Sequence, residues 1–305
     1  MPTISTSAAG PLARRAVKSL ARAHGRKLDE LAPPRASRAA MERICRQVDP
    51  DNVARAGGPA FEAYTDVTNW VSTLLESLSD LPELRRLVAR IAKAEDDYMP
   101  SGPPMSPLTP SFFWSWAYWD VSEGAERETL GSIFLAIARA RGLDGRFAGV
   151  LDRLVNSRLG LHVHEGLEAA TGRIRLRELV TDELRSCANP SGHRGSPGEL
   201  WLARVLPPPH EEIEESVVVT TPYLVLSPSV EDWRAYLRRT LPAVDPAGNE
   251  AAAYRALMKR GLGPTYWSEY VFEAYVNHRP DVILLTGIPD VAESRPHSRA
   301  NAHKW

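Results

Sequence analysis

The sequence has little cysteine, no excess of either charge and no long apolar run. Cys45 and Cys187 are the only cysteines among 305 residues, and neither has a neighbour at the spacing that a metal site requires. This indicates free thiols in a reducing compartment. No apolar run approaches the ~20 residues that a helix needs to cross a bilayer, and the formal net charge of -1 gives no overall attraction to nucleic acid or acidic membranes. We therefore predict a cytoplasmic protein that is not an integral membrane protein.

The motifs of common enzyme classes are missing as well. The sequence contains no H-E-x-x-H, no G-x-S-x-G, no Walker loop and no G-x-G-x-x-G between a strand and a helix. We predict no catalytic residue, no metal and no cofactor, and we favour a protein that is not an enzyme. A scattered active site has no linear motif, so the question of activity stays open.

Towards both ends of the chain, apolar residues recur every three or four positions, as in helices. In residues 159–226 they recur at every second position, as in strands. The predicted fold class is therefore α+β, with an N-terminal helical bundle, a small antiparallel sheet or partial barrel in the middle, and C-terminal helices. The helical ranges are 41–48, 61–78, 84–91, 130–138 and 147–155, followed by helices that begin at Ser229, Asn249 and Pro264, the last running to 278. Residues 281–287 are typical of a short buried strand.

These patterns divide the chain into consecutive segments. The predicted segments are a basic N-terminal arm or helix (1–35), a helical region (36–98), a Pro-rich connector (99–110), an aromatic-rich helical region (111–158), a small antiparallel β module (159–228), C-terminal helices with a short strand (229–290), and a polar tail (291–305).

A predicted hairpin lies at the start of the β module. Its two strands alternate, which predicts that Leu161, Val163 and Leu176 are buried on one face while histidines and arginines share the other. The residues on that second face are His162, His164, Arg173, Arg175 and Arg177, with the arginines ~7 Å apart. Such a cationic strip predicts binding of phosphates or nucleic acid. The alternative is that nearby acids, among them Glu211, Glu212, Glu214 and Glu215, neutralise it.

The same histidines suggest a second hypothesis. His162 and His164 lie two apart on a strand, so both imidazoles could face one metal ion in a hydrolase or nuclease, with His193 or the loop of His210 supplying further ligands. An H-x-H pair without a fixed third ligand is more typical of a polar sheet face.

Residues 112–119 place six aromatic side chains in eight positions. One interpretation is a core helix whose rings reach both the bundle and the sheet. The other is a docking surface for a partner chain or stacked bases, with Phe113, Trp114, Trp116 and Trp119 as contacts, or for a second copy of this chain.

The first 28 residues contain no acid and carry six basic residues, with Leu12, Ala16 and Leu20 four apart. This predicts a basic amphipathic helix. A solvated terminal helix is the simpler interpretation, and an organelle transit peptide or a contact with a polyanion is the alternative.

The order of an aromatic F-x-x-W helix (Phe113 to Trp116), GLHVHE, IRLRELVTDE and PGELWLARVLP resembles a module of uncharacterised bacterial proteins, some of which end in a SEC-C zinc tail. The segments PSGPPMSPLT and NHRPDVILLTGIPD resemble a group of uncharacterised myxobacterial proteins. The resemblance covers residues 98–290 and implies no activity. The Cys-rich tail is absent here, so the resemblance implies no zinc site.

These observations favour an interaction protein that holds a partner protein or nucleic acid through aromatic and cationic surfaces. The metal-dependent hydrolase built on His162 and His164 is one alternative, and a self-assembling structural protein is the other.

Overall fold

A computed structural model describes residues 9–23, 57–79, 81–99, 106–245 and 248–289. Within these ranges the chain has the predicted α+β fold, in which helices before and after surround a curled nine-stranded sheet that forms a half-barrel. The helix predicted over 41–48, the residue Cys45 and the polar tail lie outside the described residues.

The helices and strands follow one another in three blocks. The N-terminal helices are α1 (Pro11–Ala23), α2 (Gly58–Leu78), α3 (Arg85–Tyr98), α4 (Pro110–Trp119), α5 (Leu130–Ala140) and α6 (Gly145–Asn156), with a small hairpin of β1 (Ser122–Glu123) and β2 (Glu128–Thr129) between α4 and α5. The sheet strands are β3 (Gly160–Leu167), β4 (Ile174–Glu178), β5 (Leu184–Ala188), β6 (Leu200–Ala203), β7 (Val205–Leu206), β8 (Ser216–Val218) and β9 (Tyr223–Ser227). The C-terminal block is α7 (Val230–Val244), α8 (Glu250–Arg260), α9 (Tyr266–Ala274), β10 (Tyr275–Arg279) and β11 (Val282–Thr286).

The sheet is larger than predicted and is not wholly antiparallel. Its strand order is β10-β11-β9-β6-β3-β4-β5-β8-β7, and the β11–β9 and β5–β8 pairs are parallel. The C-terminal strands therefore complete the central sheet. The helix predicted from Pro264 to 278 ends at Ala274, and Tyr275–Arg279 is the edge strand β10. The residues of Tyr275–Arg279 are compatible with either a helix or a strand, and their hydrogen-bonded pairing with β11 stabilises the strand.

Both faces of the central strand β6 are buried. In β6, Leu200 and Leu202 belong to the main core, which the helices cover, whereas Trp201 and Ala203 belong to a second, smaller cluster on the opposite face. Alternation along a strand sends successive side chains to opposite faces. A strand that is apolar on both sides, such as this one, contributes to two cores at once.

The predicted face assignment of the hairpin was wrong by one residue. Val163 lies opposite Arg177 and His164 lies opposite Leu176, so the histidines share a face with the apolar residues of β4. Directly opposite residues in an antiparallel pair lie on the same face. Because both faces of this sheet are apolar, the alternating pattern could not fix which set of β4 residues pairs with which set of β3.

Local side-chain bonds determine where several helices begin. Ser229 and Asp232 form a reciprocal capping box at α7, and Asn249 accepts a hydrogen bond from the Ala252 amide at α8, as their positions predicted. Thr109 caps α4, where Pro110 occupies the first turn and needs no hydrogen-bond donor.

The N-terminal helix packs onto the rest of the protein instead of standing free. Ala13, Ala16 and Leu20 of α1 are buried in the main core. The buried carboxylate of Glu128, in β2, accepts hydrogen bonds from the Leu12 and Ala13 amides, each at 2.8 Å. A carboxylate at a helix N-terminus satisfies free amides and opposes the positive end of the helix dipole. This contact therefore fixes α1 beside β2.

Within the described ranges, no helix combines the length and apolar character that a membrane span requires.

Candidate anion-binding cleft

A cleft of about 280 Å³ opens where several ends of helices and strands meet. Its walls come from α3, the C-terminal end of α4, the β1–β2 hairpin, and the loop between α8 and α9. The charged residues that line it are Arg90, Asp120, Arg127, Lys259 and Arg260. Four cations thus face a single carboxylate, which makes this the candidate functional site. We call it the cationic cleft.

Two of these cations are uncompensated. Among the described residues, Arg127 and Arg260 form no ion pair, and the buried Nε of Arg260 has no hydrogen-bond partner. Burial lowers the pKa of Arg260, and the nearby Arg127 guanidinium lowers it further, although Asp120 raises it. Arg127 is exposed, whereas the buried Nε of Arg260 requires an explanation, because buried polar groups in native proteins are nearly always paired.

The other two cations have acidic partners, although Lys259 shares its partner Asp120 with Arg204. The Arg90 guanidinium donates to the Ser122 carbonyl oxygen and to Glu123, both at 2.7 Å. Lys259 lies 3.4 Å from Asp120 Oδ1. The positive charge available to a ligand therefore lies mainly at Arg127 and Arg260.

The backbone presents Arg127 in an unfavourable conformation. Arg127 has φ of 49° in the turn between β1 and β2, and its amide donates to the Gly124 carbonyl oxygen at 3.1 Å. A left-handed conformation costs a residue other than glycine free energy of order 1–3 kcal/mol, and such strain is concentrated at functional sites. The hairpin holds the arginine at the mouth of the cleft in spite of this cost.

A glycine allows the tight turn between α8 and α9, which forms another part of the cleft wall. Arg260 is the last residue of α8, and Gly261 follows with φ of 62°. A Cβ atom at this position would lie 2.3 Å from the Cβ of Tyr266, so only glycine fits. The chain can therefore turn directly from α8 into α9, which brings Pro264 and Trp267 to the cleft.

A buried polar network forms the base of the cleft. Arg204, which is 1% exposed, donates to Ser157 Oγ at 2.7 Å and to the Asp120 carboxylate. The Lys259 ammonium donates to the backbone oxygens of Val155 and Ser157, each at 2.7 Å. Burial lowers the pKa of Lys259 to about 8, although Asp120 raises it. The network joins α4, α6, β6 and α8, which gives the cleft a rigid floor.

Two indole rings form part of the apolar wall. Trp116 and Trp267 line the cleft, and their ring nitrogens donate to the carbonyl oxygens of Pro264 and Leu257 at 3.1 and 2.9 Å. Because both donors are used within the protein, the rings offer a ligand only apolar surface.

The predicted cationic strip is not a free cationic face. Arg173 pairs with the buried Glu215 at 3.0 Å, and Arg175 and Arg177 both pair with Glu165. Glu215 was among the acids considered for this role, whereas Glu165 lies in β3 itself. The arginines therefore tie β4 to its neighbours, and a binding role for them has no unpaired charge to support it.

The histidines assigned to the strip face the second cluster and are buried. His164 Nδ1 accepts from the Gly166 amide at 3.0 Å, and Nε2 lies 2.9 Å from the Arg194 carbonyl oxygen, so both ring nitrogens are used. Burial lowers the pKa of His162 to about 4, which keeps its ring neutral at pH 7. In the described part of the chain, no group of three or more His, Cys, Asp or Glu is placed to hold a metal ion. The metal-dependent hydrolase therefore has no observation to support it.

The aromatic segment is mainly core. Phe113 and Trp119 are 1% exposed and Trp116 is 7% exposed, so these rings offer a partner chain almost no surface. These rings belong to the main core, and the neighbouring Phe112 packs edge-on against Tyr223 of β9. Trp114 alone of the four proposed contacts is half-buried, and it lines an apolar cavity of about 250 Å³ with Phe61 and Pro110.

The sequence did not single out Arg127 or Arg260. The first lies in an acidic turn and the second ends a helix, where basic residues are common. The available signals were weak: the Gly-Leu-Gly-Pro loop that follows Arg260, and an aromatic residue placed shortly after it.

Comparison with models of protein families, with curated proteins and with solved structures finds no match to this chain. The resemblance to bacterial proteins noted above therefore stays a prediction, and the geometry of the cleft carries the functional argument.

Proposed function

We propose that this protein is a cytoplasmic, non-catalytic binding protein that holds a small anionic ligand in the cationic cleft. The observation that carries the proposal is the pair of guanidinium groups, Arg127 and Arg260, which face the same cleft without a carboxylate partner among the described residues. The proposal keeps the interaction role predicted from the sequence and moves it from the strip on β4 to the cleft.

The free energies favour an anion at this position. The partly buried Arg260 loses hydration at its Nε that no protein group replaces, and the exposed Arg127 nearby repels it. An anion between them would replace the repulsion with charge-assisted hydrogen bonds, which are about twice as strong as neutral ones. The cost of assembling Arg127 and Arg260 without partners would then be recovered when the ligand binds.

The test is anion binding by charge-neutral variants. Arg260→Gln and Arg127→Gln should each weaken binding of inorganic phosphate by roughly tenfold or more, since a hydrogen bond to a charged group contributes about 1.5–3 kcal/mol. Arg238→Gln is the matched control, because this exposed arginine of α7 does not line the cleft. Affinity is measured from the phosphate-dependent rise in Tm at constant ionic strength.

The outcomes separate a site from general charge. Loss of binding in both cleft variants with wild-type binding in Arg238→Gln supports the proposal. Equal weakening in all three variants indicates non-specific screening and contradicts it, as does a wild-type protein whose Tm does not respond to phosphate.

A protein partner at Trp114 is a second candidate. Its half-buried ring and the adjoining apolar cavity are the part of the aromatic segment that a partner, including a second copy of this chain, could still contact. Light scattering of the wild type and of Trp114→Ala tests self-association. A monomer at all concentrations in both proteins removes the second-copy form of this candidate.

A further inference from the structure

We propose that the anion held in the cationic cleft is a small phosphomonoester, bound as a dianion, and not a phosphodiester of a nucleic-acid backbone. This inference rests on the anion-binding function proposed above and names its ligand class.

The first argument is the amount of uncompensated charge. Glu123 neutralises Arg90, and Asp120 is shared between Arg204 and Lys259. Arg127 and Arg260 then remain, together with the part of the Lys259 charge that Asp120 does not offset. A phosphomonoester carries a charge of about -1.5 to -2 at pH 7, which matches two guanidinium groups, whereas a diester carries a single charge and would leave one of them unpaired.

The second argument is size. The cleft has a volume of about 280 Å³, which is near the lower limit for ligand pockets and suits a phosphoryl group with a small organic body. The exposed edges of Trp116 and Trp267, together with Leu262 and Pro264, offer that body an apolar wall. A terminal phosphate has a single organic substituent and can be inserted into a space of this size. An internal phosphodiester has a substituent on each side, and both would have to fit.

The third argument is the surroundings of the cleft. Nucleic-acid sites usually continue as a basic groove that follows the backbone. The arginines predicted to form such a track, on β4, are paired with Glu165 and Glu215. Among the described residues that line the cleft, the cations without an ion pair are Arg127 and Arg260, and they form one charged point and no extended track.

A pair of matched probes tests the inference. Methyl phosphate and dimethyl phosphate differ by one methyl group and by one negative charge at pH 7.5. We expect methyl phosphate to bind about tenfold more tightly or better, because an additional charge near two guanidinium groups contributes at least that factor at protein surfaces. Binding is measured from the rise in Tm at constant ionic strength, for the wild type and for Arg260→Gln.

A change of pH repeats the test with one ligand. The second pKa of a phosphomonoester is about 6, so at pH 5 methyl phosphate is a monoanion. Its affinity should fall toward that of dimethyl phosphate, while the affinity of dimethyl phosphate stays constant. Lys259, whose pKa is lowered to about 8, gains positive charge between pH 7.5 and pH 5, which acts against the expected loss of affinity.

The results distinguish this inference from the function on which it rests. If both probes bind equally and Arg260→Gln weakens both, the anion site stands and the monoester assignment is overturned. If neither probe binds, the proposed function itself fails. A tight complex with glycerol 3-phosphate identifies a free metabolite as the source of the phosphoryl group, and tight binding of a phosphoserine peptide alone would overturn the small-ligand assignment.

Discussion

Replacing Arg204 by methionine removes the central cation of the network beneath the cleft. The guanidinium is 1% exposed and binds Ser157 Oγ and the Asp120 carboxylate. Methionine fills a similar volume without the charge. The variant therefore leaves Asp120 buried, with Lys259 as its remaining cation at 3.4 Å.

The structure sets the size of the expected loss. Removing one member of a buried ion pair costs about 3–5 kcal/mol, because the partner stays in a medium that cannot hydrate it. Lys259 lies 3.4 Å from Asp120 and offsets only part of this cost. We expect the lower limit, about 3 kcal/mol, for Arg204→Met.

Urea unfolding followed by circular dichroism measures the loss. With a slope of about 3 kcal/mol/M, the midpoint should fall by roughly 1 M. Arg234→Met is the control, since Arg234 pairs with Glu231 at 2.6 Å on the surface of α7 and both side chains are exposed. An exposed pair contributes about 0–1 kcal/mol, so this midpoint should hardly move.

Equal midpoints for the two variants would refute the reasoning, because burial would then make no difference to the pair. A second variant, Arg204→Met with Asp120→Leu, tests the cause. If the stranded carboxylate is responsible, the double variant should be more stable than Arg204→Met alone.

Arg127→Gln should raise the stability of the ligand-free protein by only a few tenths of a kcal/mol while it weakens anion binding, because it removes the repulsion of Arg260 by an exposed charge and leaves the positive φ unchanged; thermal melting without phosphate measures this. Gly160→Ala should lower the free energy of unfolding by about 1–3 kcal/mol, because the added Cβ lies 2.4 Å from His162 Nε2. Gly145→Ala should raise it by ~0.4–1 kcal/mol, because its Cβ meets nothing within 4 Å. Urea unfolding measures both. Burial lowers the pKa of Lys259 to about 8, so between pH 8 and about pH 10 this lysine binds more protons in the unfolded chain than in the folded one. The free energy of unfolding should therefore rise with pH across this range, by at most ~1.4 kcal/mol per pH unit. Lys259→Met should show a smaller slope.

The helices were predictable because their signals are local. Spacing and caps at Ser229 and Asn249 identify α7 and α8, since each depends on residues within a few positions of one another. The aromatic helix was predictable for the same reason, and its core role follows from the amount of apolar area that it has to bury.

The pairing of the sheet was harder to predict. Strand β5, from Leu184 to Ala188, has little alternation, and its position depends on distant partners on both sides. The faces of β3 and β4 could not be assigned because Trp201 and Leu202 are both buried, so an apolar side chain does not identify one face. Pairing with distant strands determines the position of such strands and the face to which each side chain points.

The cationic cleft was hidden for a further reason: its residues come from segments that the sequence divides from one another. Asp120 ends the aromatic helix, Arg204 follows a strand of the β module, and Lys259 and Arg260 end a C-terminal helix. Each of them is ordinary in its own segment, and only the shared carboxylate of Asp120 joins them. Because the network that holds the floor of the cleft crosses all three segments, the binding site can form only when the C-terminal block has packed against the half-barrel. Ligand binding should therefore report on the assembly of the whole fold, and a ligand that stabilises the native state should protect α4 and α8 together.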